Sequence, residues 1–253
     1  MPIRKAHLER LKKEGYNPRE IKAIESGTPQ SAAAQVKQIR DRIREDPKLL
    51  KRFRDLSIRN REVSEGQWRK DRCFLDYNNL FKLVLNEPLH SFLVRMGKGK
   101  KKLKVLDEGA GFGQFLLDLK EILTKEGIDT DTTAVVLKKH SLLDTYHKDG
   151  KVDHVHVGRS EFFLPDKGYD VIFSLYGGIH YTISEFRKQT LVKYASSLNR
   201  GGVALIGADL IGIRTYLFER IKQAFRKRGF EIKLFAGPIQ GGYPSDILMI
   251  HRL

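Results

Sequence analysis

Cysteine is almost missing from this chain: Cys73 is the single one in 253 residues. No internal disulfide framework and no cysteine-based zinc site can therefore be assembled. Long apolar runs are lacking too, and no stretch nears the ~20 apolar residues that a membrane-spanning helix needs. The first residues, Met1-Pro2-Ile3-Arg4-Lys5, carry no apolar signal core. A cytoplasmic protein without a membrane span is the expectation. Whole-chain disorder is excluded as well, because 40% of the residues are hydrophobic and a sizeable core can form.

Acidic residues are in deficit. Lys and Arg number 47 against 31 Asp and Glu, a net charge of +16. The excess is uneven: residues 1–100 hold 24 basic and 13 acidic residues, a net +11, and the remainder holds a net +5. A basic excess concentrated in one part attracts polyanions, nucleic acid before anionic membrane.

The chain divides by pattern. Residues 1–65 read as a basic lobe of short helices, punctuated by Gly15, Asn17-Pro18, Gly27, Thr28-Pro29 and Pro47. The third helix places Val36, Ile39 and Ile43 on one face. The fourth starts at Pro47 and turns Leu50 and Phe53 inward. Ile21 to Ile39 also has a loose helix-turn-helix spacing, which two ordinary capped helices satisfy equally well. Residues 66–100 form a helical connector with Trp68 and with Phe74, Tyr77, Phe81 and Val84 at helical spacing. It ends in the basic joint Gly97-Lys98-Gly99-Lys100-Lys101-Lys102.

From residue 101 to 253, strands and helices alternate. Strands are expected at Leu103–Leu106, Thr133–Leu137, Val152–Val157, Tyr169–Ser174, Val203–Gly207, Phe230–Phe235 and Asp246–Ile250. Near-continuous apolar strands between amphipathic helices imply an α/β fold: a doubly wound, seven-stranded, mostly parallel sheet. No helix separates the last two strands, so they should close as a hairpin with one antiparallel strand, joined by the glycine-rich loop Ala236–Ser245. Asn199-Arg200-Gly201-Gly202 reads as a turn.

The chemistry concentrates in Asp107-Glu108-Gly109-Ala110-Gly111-Phe112-Gly113, between the first strand and a helix. Glycine at alternate positions permits a tight turn and lets a ligand lie against the backbone. The helix start adds unpaired N–H groups. At this motif the chain resembles the class I S-adenosylmethionine-dependent methyltransferases, whose first strand ends in an acid followed by x-Gly-x-Gly-x-Gly. Tyr169–Ser174 is similar to the family's fourth strand, and Leu198–Ile206 to its fifth with the preceding turn.

The resemblance implies S-adenosylmethionine as cofactor. Asp107, Glu108, Gly109, Ala110, Gly111, Phe112 and Gly113 would lie along it, with Glu161, Ser174 and Leu175 as further contacts. His180 and Tyr176, in the loop after the fourth strand, would be the catalytic candidates, since imidazole suits general-base work. Two positions depart from the family: the second strand ends in Leu137-Lys138-Lys139 rather than an acid, and Gly158-Arg159-Ser160-Glu161 follows the third, where only Glu161, shifted by one residue, could serve as the acid. The Asp/Asn-Pro-Pro-aromatic sequence of base amino-methylation is absent, because Ser174-Leu175-Tyr176-Gly177-Gly178 stands there. His154 and His156 share a strand face without a third ligand nearby, so no metal is expected. The leading expectation is a methyltransferase acting on RNA or a ribonucleoprotein, with nucleic acid, RNA foremost, held by the basic N-terminal lobe. The alternatives are a small-molecule methyltransferase using His180 as base, and a non-catalytic nucleic-acid-binding protein on the same scaffold.

Overall fold

The computed structural model describes residues 32–55, 72–138, 140–165, 168–177, 182, 184–208, 222–240 and 243–253. The readings placed on residues 1–31, Trp68 and His180 lie outside these.

Seven strands form one sheet in the order β3-β2-β1-β4-β5-β7-β6. They are β1 (Leu103–Glu108), β2 (Thr130–Val136), β3 (His154–Val157), β4 (Tyr169–Leu175), β5 (Leu198–Ala208), β6 (Phe230–Gln240) and β7 (Tyr243–Arg252). β1 to β5 run parallel, and β7 lies antiparallel between β5 and β6. This is the doubly wound sheet expected from the sequence, with its antiparallel closing hairpin.

Two expectations are corrected. Asn199–Gly202 is not a free turn but part of β5, absorbed by an irregularity in its pairing opposite Tyr169–Val171. Ala236–Ser245 is not a long loop either: β6 runs to Gln240 and β7 starts at Tyr243. The register shift between Ala236 and Ile239 lets a proline-containing segment stay paired, because a bulge relieves the donor that Pro238 lacks.

Strand alternation sorts the core into two layers. Val105, Ala134, Val136, Val171, Phe173 and Leu205 face one side. There the helices α3 (Phe74–Leu85), α4 (Leu89–Gly97), α5 (Gln114–Lys125) and α6 (Ser141–Lys148) cover them. Tyr77, Leu80, Phe81 and Val84 form the buried stripe of α3. Leu106, Val135, Ile172, Ala204 and Ile206 face the other side, against Leu191, Val192, Tyr194 and Ala195 of α7 (Ser184–Ser196).

The helix pair at residues 32–55 docks on this second side. α1 (Ala32–Glu45) and α2 (residues 47–55) bury Ile39, Ile43 and Leu49 around Phe186 of α7, with Leu50, Phe53 and Phe162 alongside. Leu49 takes the deepest place in α2, one position from the expected Leu50. The basic joint is anchored: Lys100 Nζ reaches Asp170 Oδ1 at 2.8 Å, and Asp170 also accepts from the Lys104 amide and from Asn199. No helix among the described residues is long and apolar enough to cross a membrane.

Candidate functional site

In a sheet of this order, the chain leaves β1 in one direction and β4 in the other. The strand ends diverge there and open a crevice at their C-terminal edge. Both glycine-bearing loops meet at that point. Gly109, Gly111 and Gly113 have φ of 83°, 59° and 91°, the left-handed region that only glycine enters cheaply. The Gly109 amide donates to Val135 O at 2.8 Å and closes the turn against β2. A side chain on Gly109 would meet Gly177 Cα at 2.5 Å, so the loops after β1 and β4 cross backbone on backbone.

Tyr176 precedes that crossing and has φ 49°, an uncommon conformation for a bulky residue. Its amide is held by Gly207 O at 2.7 Å. The Arg72 guanidinium lies 5.5 Å from the centre of its ring. Strained backbone persists where the surroundings over-determine it, and such places cluster at functional sites.

The two acids of the motif go to opposite faces, as a strand period of two requires. Asp107 faces α3 and accepts from the Tyr77 hydroxyl at both carboxylate oxygens. Burial, and then the neighbouring Asp107 charge, hold the Tyr77 phenol well above its ordinary value. Glu108 faces α7 and accepts from Ser160 and from Ser174 Oγ, the latter at 2.6 Å. Asp107, Glu108, Glu161, Ser174 and Leu175 are all buried.

The structure thus gathers Gly109–Gly113, Ser174, Leu175 and Tyr176 at one edge. The backbone of the turn and Tyr176 form its surface. Phe112 stands edge-on to His140, with ring centres 4.6 Å apart. The His140 imidazole is pushed down by partial burial and then by Lys138. Lys138, on the segment after β2, is exposed.

Glu161 lies after β3, where Arg159 Nη2 binds its Oε1 at 2.6 Å and the Arg159 guanidinium sits 4.3 Å from the Phe53 ring centre. His180 is outside the described residues. Among the described residues, no group of three His, Cys, Asp or Glu side chains could hold a metal ion.

Sequence reasoning missed Tyr77 as the partner of Asp107, because its helical spacing marked it only as core. It also missed Lys193, fully buried on α7. Burial pulls its ammonium down to about 8, against the upward pull of Glu108 and Glu161.

No protein-family model matches the chain, and no curated protein does. Solved structures resemble it distantly. A Listeria monocytogenes protein described as a class I S-adenosylmethionine-dependent methyltransferase is 16% identical, over 64% of this chain and 57% of its own, with TM-score 0.49. The present chain therefore spans less than two thirds of that protein. A Burkholderia thailandensis 1,6-didemethyltoxoflavin-N1-methyltransferase is 14% identical, over 78% and 87%, with TM-score 0.49. A Streptococcus thermophilus rRNA methylase is 15% identical, over 65% and 93%, with TM-score 0.41.

Proposed function

We propose that the chain is an S-adenosylmethionine-dependent methyltransferase whose acceptor is RNA or a ribonucleoprotein. The observation that carries the first half is the crossing of Gly109 and Gly177 at the switch point, with three left-handed glycines opening α5. The turn fits a ligand that lies along bare backbone: its side-chain-free edge and the unpaired N–H groups at the start of α5 suit a carboxylate-bearing group. Gly109 to Gly113 would hold the amino-acid end of the cofactor, with Asp107 behind them as the fixed negative charge. When bound, S-adenosylmethionine supplies an electrophilic methyl group on a sulfonium.

What the chain's own residues contribute is placement. Tyr176, fixed by Gly207 and Arg72, would orient the acceptor, and in-line alignment is the main requirement of such a transfer. His180 would take the proton where the acceptor atom carries one.

RNA as acceptor is supported by charge. Residues 32–55 hold eight basic and four acidic residues. That helix pair docks beside the Ser160–Phe162 turn, which directly follows β3. Phosphate contacts there would position a substrate without reading its sequence.

Arg159 favours a second reading. It stands where the resemblance would place an acid and is tied to Glu161 and Phe53. On this reading the scaffold binds nucleic acid without catalysis.

The test is calorimetric titration of S-adenosylmethionine, and separately S-adenosylhomocysteine, into the full chain freed of nucleic acid. Micromolar binding of both is expected. A folded sample that binds neither overturns the methyltransferase reading and leaves the second one.

A further inference from the structure

Beneath the crossing of the two loops lies a set of buried charges that the proposed chemistry does not use. Glu108 has no exposed surface, and its carboxyl oxygens accept from the hydroxyls of Ser160 and Ser174. Ser160 comes from the turn after β3 and Ser174 from β4, so one carboxylate ties three strand ends together. Lys193 completes the set from α7 by donating its Nζ to the Ser160 carbonyl. The apolar side chains Leu106, Ile172, Leu191 and Ile206 lie in the same layer. A leucine at position 108 would suit that layer, and burying an acid and an ammonium carries a desolvation cost that apolar residues of similar volume do not. The charge therefore calls for another reason.

The reason lies directly above it. A side chain at Gly177 would press into the Glu108 carbonyl oxygen and come within 2.5 Å of its Oε2. Gly177 thus rests on the Glu108 carboxylate, and Gly109 rests on Gly177. We propose that Glu108 is a positioning residue: held by Ser160 and Ser174 and opposed by Lys193, its carboxylate fixes the crossing of Gly177 over Gly109, and with it the place of Tyr176, without touching the ligand. What the crossing serves rests on the methyltransferase reading; the crossing itself does not.

Charge balance gives the arrangement a pH signature. The groups facing Lys193 are Glu108 from β1, Glu161 with its partner Arg159 from the turn, His156 from β3, and Tyr194 beside it on α7. Below about pH 8 Glu108 faces an ammonium. Above it, Lys193 is a neutral amine and the positive charge that Glu108 and Glu161 draw on is gone.

Amide hydrogen exchange by NMR tests this on the full chain. The probes are the Gly109 amide, bound to Val135 O, and the Tyr176 amide, bound to Gly207 O; the Leu103 amide, bound to Asp129 O at the far end of the sheet, is the control. Between pH 7 and 9, protection of Gly109 and Tyr176 should fall beyond the intrinsic rise in exchange rate, while Leu103 follows the intrinsic rate. Glu108→Gln, which keeps the shape, should lower protection of both probes about tenfold already at pH 7. Lys193→Arg, which keeps the charge, should abolish the pH step.

Wild-type protection of Gly109 and Tyr176 in Glu108→Gln, or a pH step that survives Lys193→Arg, overturns the proposal. Should Glu108→Gln fail to fold, Ser174→Ala removes one donor only and must lower the same two amides in the same direction, or the proposal fails. Absence of S-adenosylmethionine binding by the wild type would strike the methyltransferase reading and leave these exchange results standing.

Discussion

The Tyr77 hydroxyl donates to both carboxylate oxygens of Asp107, at 3.0 and 3.1 Å. The tyrosine ring is stacked on Phe115 with centroids 3.7 Å apart and meets Phe173 edge-on. A polar tip on an aromatic core residue thus anchors the acid at the head of the glycine turn. Tyr77→Phe would keep the stacking and leave a buried carboxylate short of a donor. A loss of about 1–3 kcal/mol in urea denaturation is expected, together with weaker S-adenosylmethionine binding. Unchanged stability would mean that Asp107 does not depend on this phenol.

The same phenol predicts an alkaline signature. Its folded value lies well above 10, with burial as the main cause. The unfolded chain loses that proton near pH 10 and the folded chain keeps it. The stability Tyr77 contributes is therefore present below about pH 10 and lost as pH rises from there. The measurement is denaturation midpoint against pH, and Tyr77→Phe should flatten the fall above pH 10.

At the crossing, Gly109→Ala combines a φ of 83° with a 2.5 Å approach to Gly177 Cα. Backbone cannot yield as a flexible side chain can. The strain is expected to cost on the order of 1–3 kcal/mol and to abolish cofactor binding in calorimetry. Gly127→Ala is the control: it shares a positive φ of 71° but has open space around it, so it should lose only the conformational part and bind normally.

Asp153 carries an acid-side prediction. Burial pushes its carboxyl up, but hydrogen bonds from Thr132 and the Lys120 ammonium outweigh that and hold it below its ordinary value. The stability this gives is present above pH 3.8, the ordinary value, and is lost as pH falls through the folded value. Asp153→Asn should melt below wild type at pH 7, and the gap should close under acid conditions.

Docking of the basic helix pair depends on Ile39, which is wholly buried with Phe186. Ile39→Ala should cost about 2–5 kcal/mol and expose residues 32–55 to limited proteolysis. Charge reversal at Lys51 and Arg54, both exposed on α2, should instead leave stability intact. It should weaken binding of an RNA oligomer and reduce the salt slope by about one per residue. Unchanged RNA affinity would move the contact away from this pair.

Much of this protein was legible in its residues alone. The alternation of strands and helices, the apolar stripe of Tyr77, Phe81 and Val84, and the closing hairpin follow from local periodicity, which the backbone obeys wherever it folds. The glycine turn was equally legible, because only glycine takes those φ values. Tertiary structure decided the rest. That β6 and β7 stay paired across Pro238 depends on a bulge, which no local pattern announces. That Asp107 and Glu108 part company follows from strand period, but their partners Tyr77, Ser160, Ser174 and Lys193 come from 30 to 85 positions away. Such distant partners leave no spacing signal: a buried lysine on α7 reads as a solvated charge until the sheet closes over it.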